Sequence, residues 1–426
     1  MVERGWHVGR RKKGIALAGG GPLGGIWEIG ALVALDEVLV GIDLTDCDVY
    51  VGVSSGSFVA AGLANGITPR EMYKMFVESE AADDPFEPDM LLRPAVAEYL
   101  RRLATLPQLF LSSAQHYLRD PWSGRFFESF QELARVLPTG VFDNTGIGQY
   151  LARLFSAPGR TNDFRRLGHK LFLVATDLDS GRVVPFGARG WTTIPISQAV
   201  LASAALPGLF SPVEIRGRSY VDGALMKTLH ASVALREGVK LLLCINPLVP
   251  FNADLAARQT HSKPVSLAKA GLPTVLSQTF RAIIHSRMRV GMDRYRTDYP
   301  DADVLVFEPE TGDTEMFFTN VFSYSARRRL SEHAYQKTRT DLRRRSDEIE
   351  PILARHGVKI DHEVLADRTR VLTRPLGGRR TRASRLGYAM HQLDQTLDML
   401  TAILKSRAHL ASLVQTKALQ ERLEQP

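Results

Sequence analysis

Two glycine-rich stretches near the N-terminus, residues 19–25 and 52–56, limit what this chain can fold into more than any other feature. Each stretch follows an apolar run, and glycine permits the close backbone approach that a tight strand-to-helix turn needs. The first stretch can direct backbone N–H groups at an anion. The second holds Ser54 between Gly52 and Gly56, as a nucleophile on such a turn requires. Together they predict the two halves of an acyl-transfer site, a nucleophile and an oxyanion hole.

Strand and helix patterns alternate along residues 14–310. Apolar runs predict strands at residues 14–18, 48–52, 171–175, 182–186, 220–222, 241–245 and 303–307. Helical patterns lie between several of them, at residues 26–40, 57–65 and 197–205. Runs that are apolar throughout are typical of parallel strands covered on both faces. We therefore expect an α/β fold, a three-layer α/β/α sandwich with a mostly parallel central sheet.

Three segments depart from that alternation. Residues 1–13 form a basic tail. Residues 68–140 combine prolines with amphipathic pieces, which predicts an inserted helical lid. Residues 311–426 predict a helical, arginine-rich C-terminal extension. Within it, leucine and methionine recur at steps of three and four over residues 386–404, a pattern that fits either self-association or packing on the helix's own domain.

The basic character of the chain belongs to its C-terminal quarter. The whole sequence has 54 lysines and arginines against 46 acidic residues, and residues 321–426 hold 21 of the basic and 12 of the acidic ones. No acidic residue lies between Asp367 and Asp394, a run that includes the arginines from Arg368 to Arg385. This run could bind an anionic membrane surface or be a solvated linker. We expect no nucleic-acid partner.

Cysteine usage and the lack of a long apolar run point to the cytoplasm, with peripheral membrane attachment as an option. Cys47 and Cys244 lie in or beside apolar strands, so buried free thiols are expected rather than a disulfide. No Cys–His cluster with metal-ligand spacing is present, and we expect no metal site. No apolar stretch approaches the roughly 20 residues of a spanning helix.

The base that would activate Ser54 has two candidates. Asp222 ends an apolar strand and is followed by Gly223 and Ala224, which permit close backbone approach. A carboxylate held beside a serine and partly desolvated gains basicity. His230 follows soon after and would complete a Ser-Asp-His order instead. Both remain open on the residues alone.

The first glycine stretch also has an alternative interpretation as a dinucleotide site. Gly19, Gly21 and Gly24 match the spacing GxGxxG. A dinucleotide site requires an acidic residue at the end of the second strand to bind the ribose, and this chain has the Ser54 turn there. A phosphate-binding loop would need a Gly-Lys-Ser/Thr ending, which is absent. An oxyanion loop beside a nucleophile explains both the glycine stretch after the first strand and the Ser54 turn after the second. A nucleotide site explains only the glycine stretch.

The motifs resemble those of the patatin-like phospholipases. Residues 19–24 (GGGPLG), 52–56 (GVSSG) and 222–224 (DGA) are similar to the three motifs of that family in its order, and residues 202–213 resemble the family's approach to the third. The resemblance implies a Ser-Asp dyad without histidine, with Ser54 as nucleophile and Asp222 as base. It implies an oxyanion hole of backbone N–H groups and turns supported by four further glycines. The oxyanion hole would be formed by Gly19, Gly20 and Gly21. The supporting glycines would be Gly24, Gly52, Gly56 and Gly223.

Two positions depart from the family's pattern. Ala18 stands where the family often has an acidic residue, and Leu23 where it usually has arginine or lysine. Neither change removes a backbone donor. The resemblance implies a serine acyl-ester hydrolase acting on lipids (phospholipase A, lysophospholipase or lipid esterase), with an acyl-enzyme intermediate and no cofactor. A non-catalytic lipid- or protein-binding module that works through the basic C-terminal region is the alternative.

Overall fold

The computed structural model describes residues 11–78, 139–227, 229–261, 263–264, 266–318 and 324–372. All of them belong to one compact unit, which ends at Thr373. Residues 79–138 of the predicted lid lie outside the described residues. So do residues 1–10 of the basic tail, the arginines from Arg374 onward, and the predicted helix at residues 386–404.

A mostly parallel, eight-stranded sheet forms the centre of the unit. Neighbours along its main path pair in the order β11, β10, β1, β3, β5, β9, β8, and β6 also pairs with β5. Strands β11, β10, β1, β3 and β5 are parallel, whereas β6, β8 and β9 pair antiparallel. Two short strand pairs, β2 with β12 and β4 with β7, lie apart from it. The strands are β1 Lys13–Leu17, β2 Leu39–Val40, β3 Val49–Val53, β4 Gly140–Phe142, β5 Lys170–Asp177, β6 Val183–Phe186, β7 Gly208–Phe210, β8 Val213–Ile215, β9 Arg218–Asp222, β10 Leu241–Ile245, β11 Asp303–Phe307 and β12 Lys359–Ile360.

Helices cover both faces of this sheet. The helices are α1 Gly21–Val38, α2 Ser55–Ala64, α3 Pro69–Met72, α4 Thr145–Ser156, α5 Ile196–Ser203, α6 Ala231–Arg236, α7 Ala253–Thr260, α8 Leu272–Asp298, α9 Thr314–Phe318, α10 Tyr324–Arg344, α11 Ser346–Ala354 and α12 His362–Ala366. Alternate residues of β1 point to opposite sides: Ile15 and Leu17 join a core with α1, α2, α5 and α10, and Ala16 joins a core with α6 and α8. The expected α/β/α sandwich is confirmed.

Strands β3 and β9 meet end to end along one edge of β5. Strand β6 occupies the other edge over residues 173–176. On the shared edge, Val53 at the end of β3 pairs with Val174, and Asp222 at the end of β9 pairs with Ala175. The register therefore brings the residue after Val53 and the last residue of β9 to the same place.

The compact unit continues past residue 310, where the sequence pattern predicts the end of the core. Helix α10 packs along α1 so closely that a Cβ on Gly30 would lie 2.3 Å from the carbonyl oxygen of Ser331. Tyr335 donates a hydrogen bond to Glu37 (2.6 Å). Arg370, within the arginine-rich run, forms an ion pair with Glu37 (3.2 Å).

Helix α1 begins five residues before the predicted start, at Gly21 rather than residue 26. Pro22 stands in its first turn, where a fixed φ and a missing N–H favour initiation. The glycine stretch is thus the helix N-terminus itself. Cys47 and Cys244 are buried free thiols, as expected. In the part of the chain that the structure describes, no helix has the length and apolar character needed to span a membrane.

Candidate active site

Ser54 occupies a sharp turn between β3 and α2. Its backbone has φ 53° and ψ −124°, a region that non-glycine residues rarely adopt and that costs about 1–3 kcal/mol. Glycines make the turn possible: a Cβ on Gly52 would lie 2.5 Å from Ser57 Cα, and one on Gly56 would lie 2.5 Å from the Ala18 carbonyl oxygen. The turn places Ser54 at the N-terminus of α2, where the helix dipole favours negative charge.

Ser203 holds the backbone of this turn. Its hydroxyl accepts a hydrogen bond from the Ser54 N–H (2.9 Å) and donates one to the Val174 carbonyl of β5 (2.6 Å). The hydroxyl thus connects β5 to the chain at the point where β3 stops pairing with it. Ser203 is fully buried at the end of α5, so it acts as a fixed support for Ser54.

Asp222 reaches Ser54 from the end of β9. The Ser54 side chain lies beside its carboxylate and interacts with it, and the Ala224 N–H donates a hydrogen bond to it (2.8 Å). Burial raises the pKa of Asp222 to about 6, although the interactions with Ser54 and the Ala224 N–H lower it. Gly223 lets the chain cross β5, since a Cβ there would lie 2.2 Å from the Val174 carbonyl oxygen. The site therefore holds a hydroxyl against a buried carboxylate of raised basicity.

The glycine loop lies against the same serine. A Cβ on Gly19 would lie 3.0 Å from Ser54 Cβ, and one on Gly20 would lie 2.8 Å from a Pro247 ring carbon. Gly21 has φ 62°, which glycine adopts without strain. Within the described ranges, no group accepts a hydrogen bond from the N–H of Gly19, Gly20 or Gly21. Because they stand at the N-terminus of α1, these donors are suited to an oxyanion.

The two departures from the family pattern are apolar in the structure. Ala18 is fully buried. Leu23 is half-buried and packs against the core that contains α1. Gly24, one residue on, lies under Pro247 and Ser55, whose atoms would come within 3.1 and 3.3 Å of an added Cβ. At position 23 the chain thus anchors its glycine loop by apolar packing.

His230 lies near the site without contacting Ser54 or Asp222 through any described hydrogen bond. Its Nε2 donates to the Gly223 carbonyl (3.2 Å). Burial lowers the pKa of His230 to about 4, so the ring is neutral at neutral pH. The structure brings Ser54, Asp222 and the glycine loop together. His230 instead contacts the backbone of the turn at Gly223.

A separate cavity of about 570 Å³ lies between the end of α4 and residues 193–195. Arg160, Asn162 and Arg166 are among its lining residues, and none of the candidate site residues is. The candidate active site is therefore defined by side-chain geometry and not by the cavity.

Sequence reasoning missed the support that Ser203 gives to Ser54. Ser203 lies in the segment that carries the family resemblance, 149 residues from Ser54. A serine near the end of a helix is common, and nothing in its neighbours indicates that the hydroxyl contacts a distant strand.

Comparison with known proteins finds a protein family whose model matches this chain. The family model for patatin, described as patatin-like phospholipase, matches residues 15–235. This is more than half of the 426 residues, and it contains the glycine loop, Ser54 and Asp222. Among curated proteins, none matches this sequence.

Solved structures give a more distant likeness. VipD from Legionella pneumophila is 16% identical, with a TM-score of 0.37 over 78% of this chain and 66% of that chain. The type III effector protein ExoU is 16% identical, with a TM-score of 0.33 over 79% and 53%. Human GIVD cytosolic phospholipase A2, in complex with methyl gamma-linolenyl fluorophosphonate, is 15% identical, with a TM-score of 0.29 over 79% and 60%. The chain spans between about half and two thirds of the length of these proteins.

Proposed function

The chain belongs to the patatin-like phospholipase family, and from this premise we propose that it is a serine hydrolase that cleaves acyl esters of lipids. The observation that carries the proposal is the Ser54 side chain beside the buried carboxylate of Asp222, next to glycine-loop N–H groups for which the described residues offer no acceptor. A nucleophile, a base and an oxyanion hole are the three parts that acyl transfer needs.

In the proposed first step, Asp222 accepts the proton of Ser54 while the serine oxygen attacks the ester carbonyl. The negative charge on the former carbonyl oxygen is stabilised by the N–H groups of Gly19, Gly20 and Gly21. When the tetrahedral intermediate collapses, the ester C–O bond breaks and the protonated Asp222 gives its proton to the leaving alcohol. The product is an acyl-enzyme on Ser54.

In the second step, Asp222 takes a proton from water, which attacks the acyl-enzyme. The second tetrahedral intermediate collapses, the proton returns to Ser54, and the fatty acid leaves. Both steps use one carboxylate as base and then as acid, which requires that it be unprotonated at the start of each. The substrates that we propose are phospholipids, lysophospholipids or other lipid esters. Buried free thiols support a reducing, cytoplasmic location.

The test is the turnover of a chromogenic acyl ester by variants of the full chain. Ser54→Ala should lower kcat/KM by at least about a thousandfold, and Asp222→Asn by about a hundredfold or more, because each removes a group that acts in the transition state. The matched controls are Ser180→Ala and Asp179→Asn, which change the same residue types on the exposed surface. Unchanged activity in Ser54→Ala would refute the proposal.

A further inference from the structure

Helix α8 buries Ile284 in the core, but it also turns polar side chains toward the protein and leaves several apolar ones exposed to solvent. On its inner face, Gln278 donates a hydrogen bond to the Phe251 carbonyl (2.7 Å), and the buried Arg281 donates one to the Val249 carbonyl (3.2 Å). A helix on the surface of a globular protein normally buries its apolar stripe. The outward placement of apolar residues on α8 therefore needs a reason other than folding.

We define the outer stripe of α8 as its exposed apolar side chains. They are between 39 and 63% exposed: Val275, Leu276, Phe280, Ile283 and Val290. Ten large hydrophobic residues are exposed in the described part of the chain, and these are five of them. Two more are Leu206, which follows the Ala205 whose carbonyl accepts a hydrogen bond from the Asp222 N–H, and Met226, just after the turn that follows Asp222. Single exposed apolar residues are ordinary, whereas a cluster of them marks an interaction surface.

The middle of α8 borders the candidate active site. Arg287 donates a hydrogen bond to the carbonyl of Leu225 (3.3 Å), in the turn that follows Asp222. Met288 accepts a hydrogen bond from Asn246 (3.2 Å). Pro247, which follows Asn246 in the chain, packs against Gly20. The helix that carries the outer stripe is therefore in contact with the turn after Asp222 and with the segment that packs on the glycine loop.

The charges around the stripe are positive. No acidic residue occurs in residues 272–292, and the exposed Arg287 and Arg289 lie in the same part of the helix. We propose that the outer stripe of α8 docks on the surface of an anionic phospholipid bilayer, with the helix in the plane of the interface. Apolar residues beside arginines are typical of such helices. The choice of a bilayer rests on the proposed lipid substrate, which must be delivered from one.

A second copy of the chain fits this surface less well. A two-fold symmetric contact through the stripe would pair two copies of residues 272–292, a stretch that has arginines and no acidic residue to face them. An anionic headgroup layer instead places negative charge opposite them. Charge complementarity thus favours the bilayer.

The test is co-sedimentation of the full-length Ser54→Ala protein with phosphatidylcholine vesicles that contain phosphatidylglycerol. Ser54→Ala keeps the vesicles intact, and binding does not depend on whether the chain is an esterase. The double substitution Phe280→Ser/Ile283→Ser should weaken vesicle binding by about tenfold or more, because it removes apolar area from the interface. The matched control is Val40→Ser. Val40 is 54% exposed in β2, at the end of α1 away from the glycine loop, and the variant should bind as the parent does.

A second comparison tests the charge. Arg289→Gln should weaken binding to the anionic vesicles about fivefold and leave binding to pure phosphatidylcholine unchanged. Lys359→Gln, beside Val40, should change neither. A Phe280→Ser/Ile283→Ser protein that keeps Ser54 should turn over a soluble ester as fast as wild type does. Equal turnover would show that the double variant folds.

Three results would overturn the proposal. The first is no binding of the parent protein to either vesicle. The second is equal binding by the parent and the double variant. The third is a dimer that Phe280→Ser/Ile283→Ser converts to a monomer, since the stripe would then be an interface between copies. Failure of the proposed function has a different signature, namely vesicle binding that depends on α8 without any ester turnover.

Discussion

Asp222 is buried next to the residue that it would activate, and the burial sets the pH at which it can act. Its pKa is raised from 3.8 to about 6 because the carboxylate has lost water. Above that pH the group is ionised and accepts the proton of Ser54. Below it the carboxylic acid has no lone pair of sufficient basicity for that role.

We therefore expect kcat/KM for a soluble ester to fall about tenfold per pH unit below roughly pH 6 and to level off above it. The measurement is a pH profile between 4 and 8. His230 provides the contrast, because its pKa is lowered to about 4. A single midpoint near 4 would assign the base to His230 and contradict this account.

Ser203 gives a second prediction at the residue scale. Ser203→Ala leaves the Ser54 N–H and the Val174 carbonyl without their shared partner. We expect the free energy of unfolding to fall by about 1–3 kcal/mol, and kcat to fall by about tenfold with little change in KM, since a small displacement of the nucleophile affects the reacting geometry. Urea unfolding and steady-state kinetics measure the two effects, with Ser180→Ala as the control. A loss of stability with an unchanged kcat would give Ser203 a structural role alone.

At the scale of elements, the site depends on how closely α2 approaches the end of β1. The Gly56 N–H donates to the Ala18 carbonyl (3.2 Å), and a Cβ on Gly56 would lie 2.5 Å from that oxygen. The helix that carries Ser54 and the loop that follows Ala18 are therefore held in contact by a residue with no side chain.

Gly56→Ala should push α2 away from β1 and separate the two halves of the site. We expect a loss of about 1–3 kcal/mol in unfolding free energy, as for other overpacked sites, and a large loss of ester turnover. The control is Gly168→Ala, because a Cβ there has no neighbour within 4 Å. Equal stability and activity in the two variants would show that the close approach is not needed.

The sequence predicts individual elements well and their pairing less well. Strands β10 and β11 have the predicted bounds, since a continuous apolar run between polar residues is a strong local signal. Helix α1 starts earlier than its apolar pattern, because Pro22 and glycines can form a first turn without apolar residues. The end-to-end meeting of β3 and β9 has no local signal. The residues alone leave Asp222 and His230 open as the base, and the choice of Asp222 comes from the resemblance of the three motifs to a known family.

At the scale of the whole molecule, some arginines in the described part of the C-terminal region are less available to partners than the sequence suggests. Helix α10 belongs to the same compact unit as the sheet and packs along α1. Arg339 on that helix is fully buried and donates to the carbonyls of Val364 and Asp367 (2.8 and 2.6 Å). Sequence composition counts this arginine as surface charge, because long-range burial cannot be read from composition.

One measurement on the full-length chain tests the central claim most directly: reaction with a fluorophosphonate probe, followed by mass-spectrometric mapping of the modified residue. The account predicts one modified residue, Ser54, with labelling abolished in Ser54→Ala, slowed in Asp222→Asn and unchanged in Ser180→Ala. The probe reacts with an activated serine, so the loss of a surface serine in Ser180→Ala should not change the labelling. A label on a different serine, or a folded protein that takes up no label, would contradict the account.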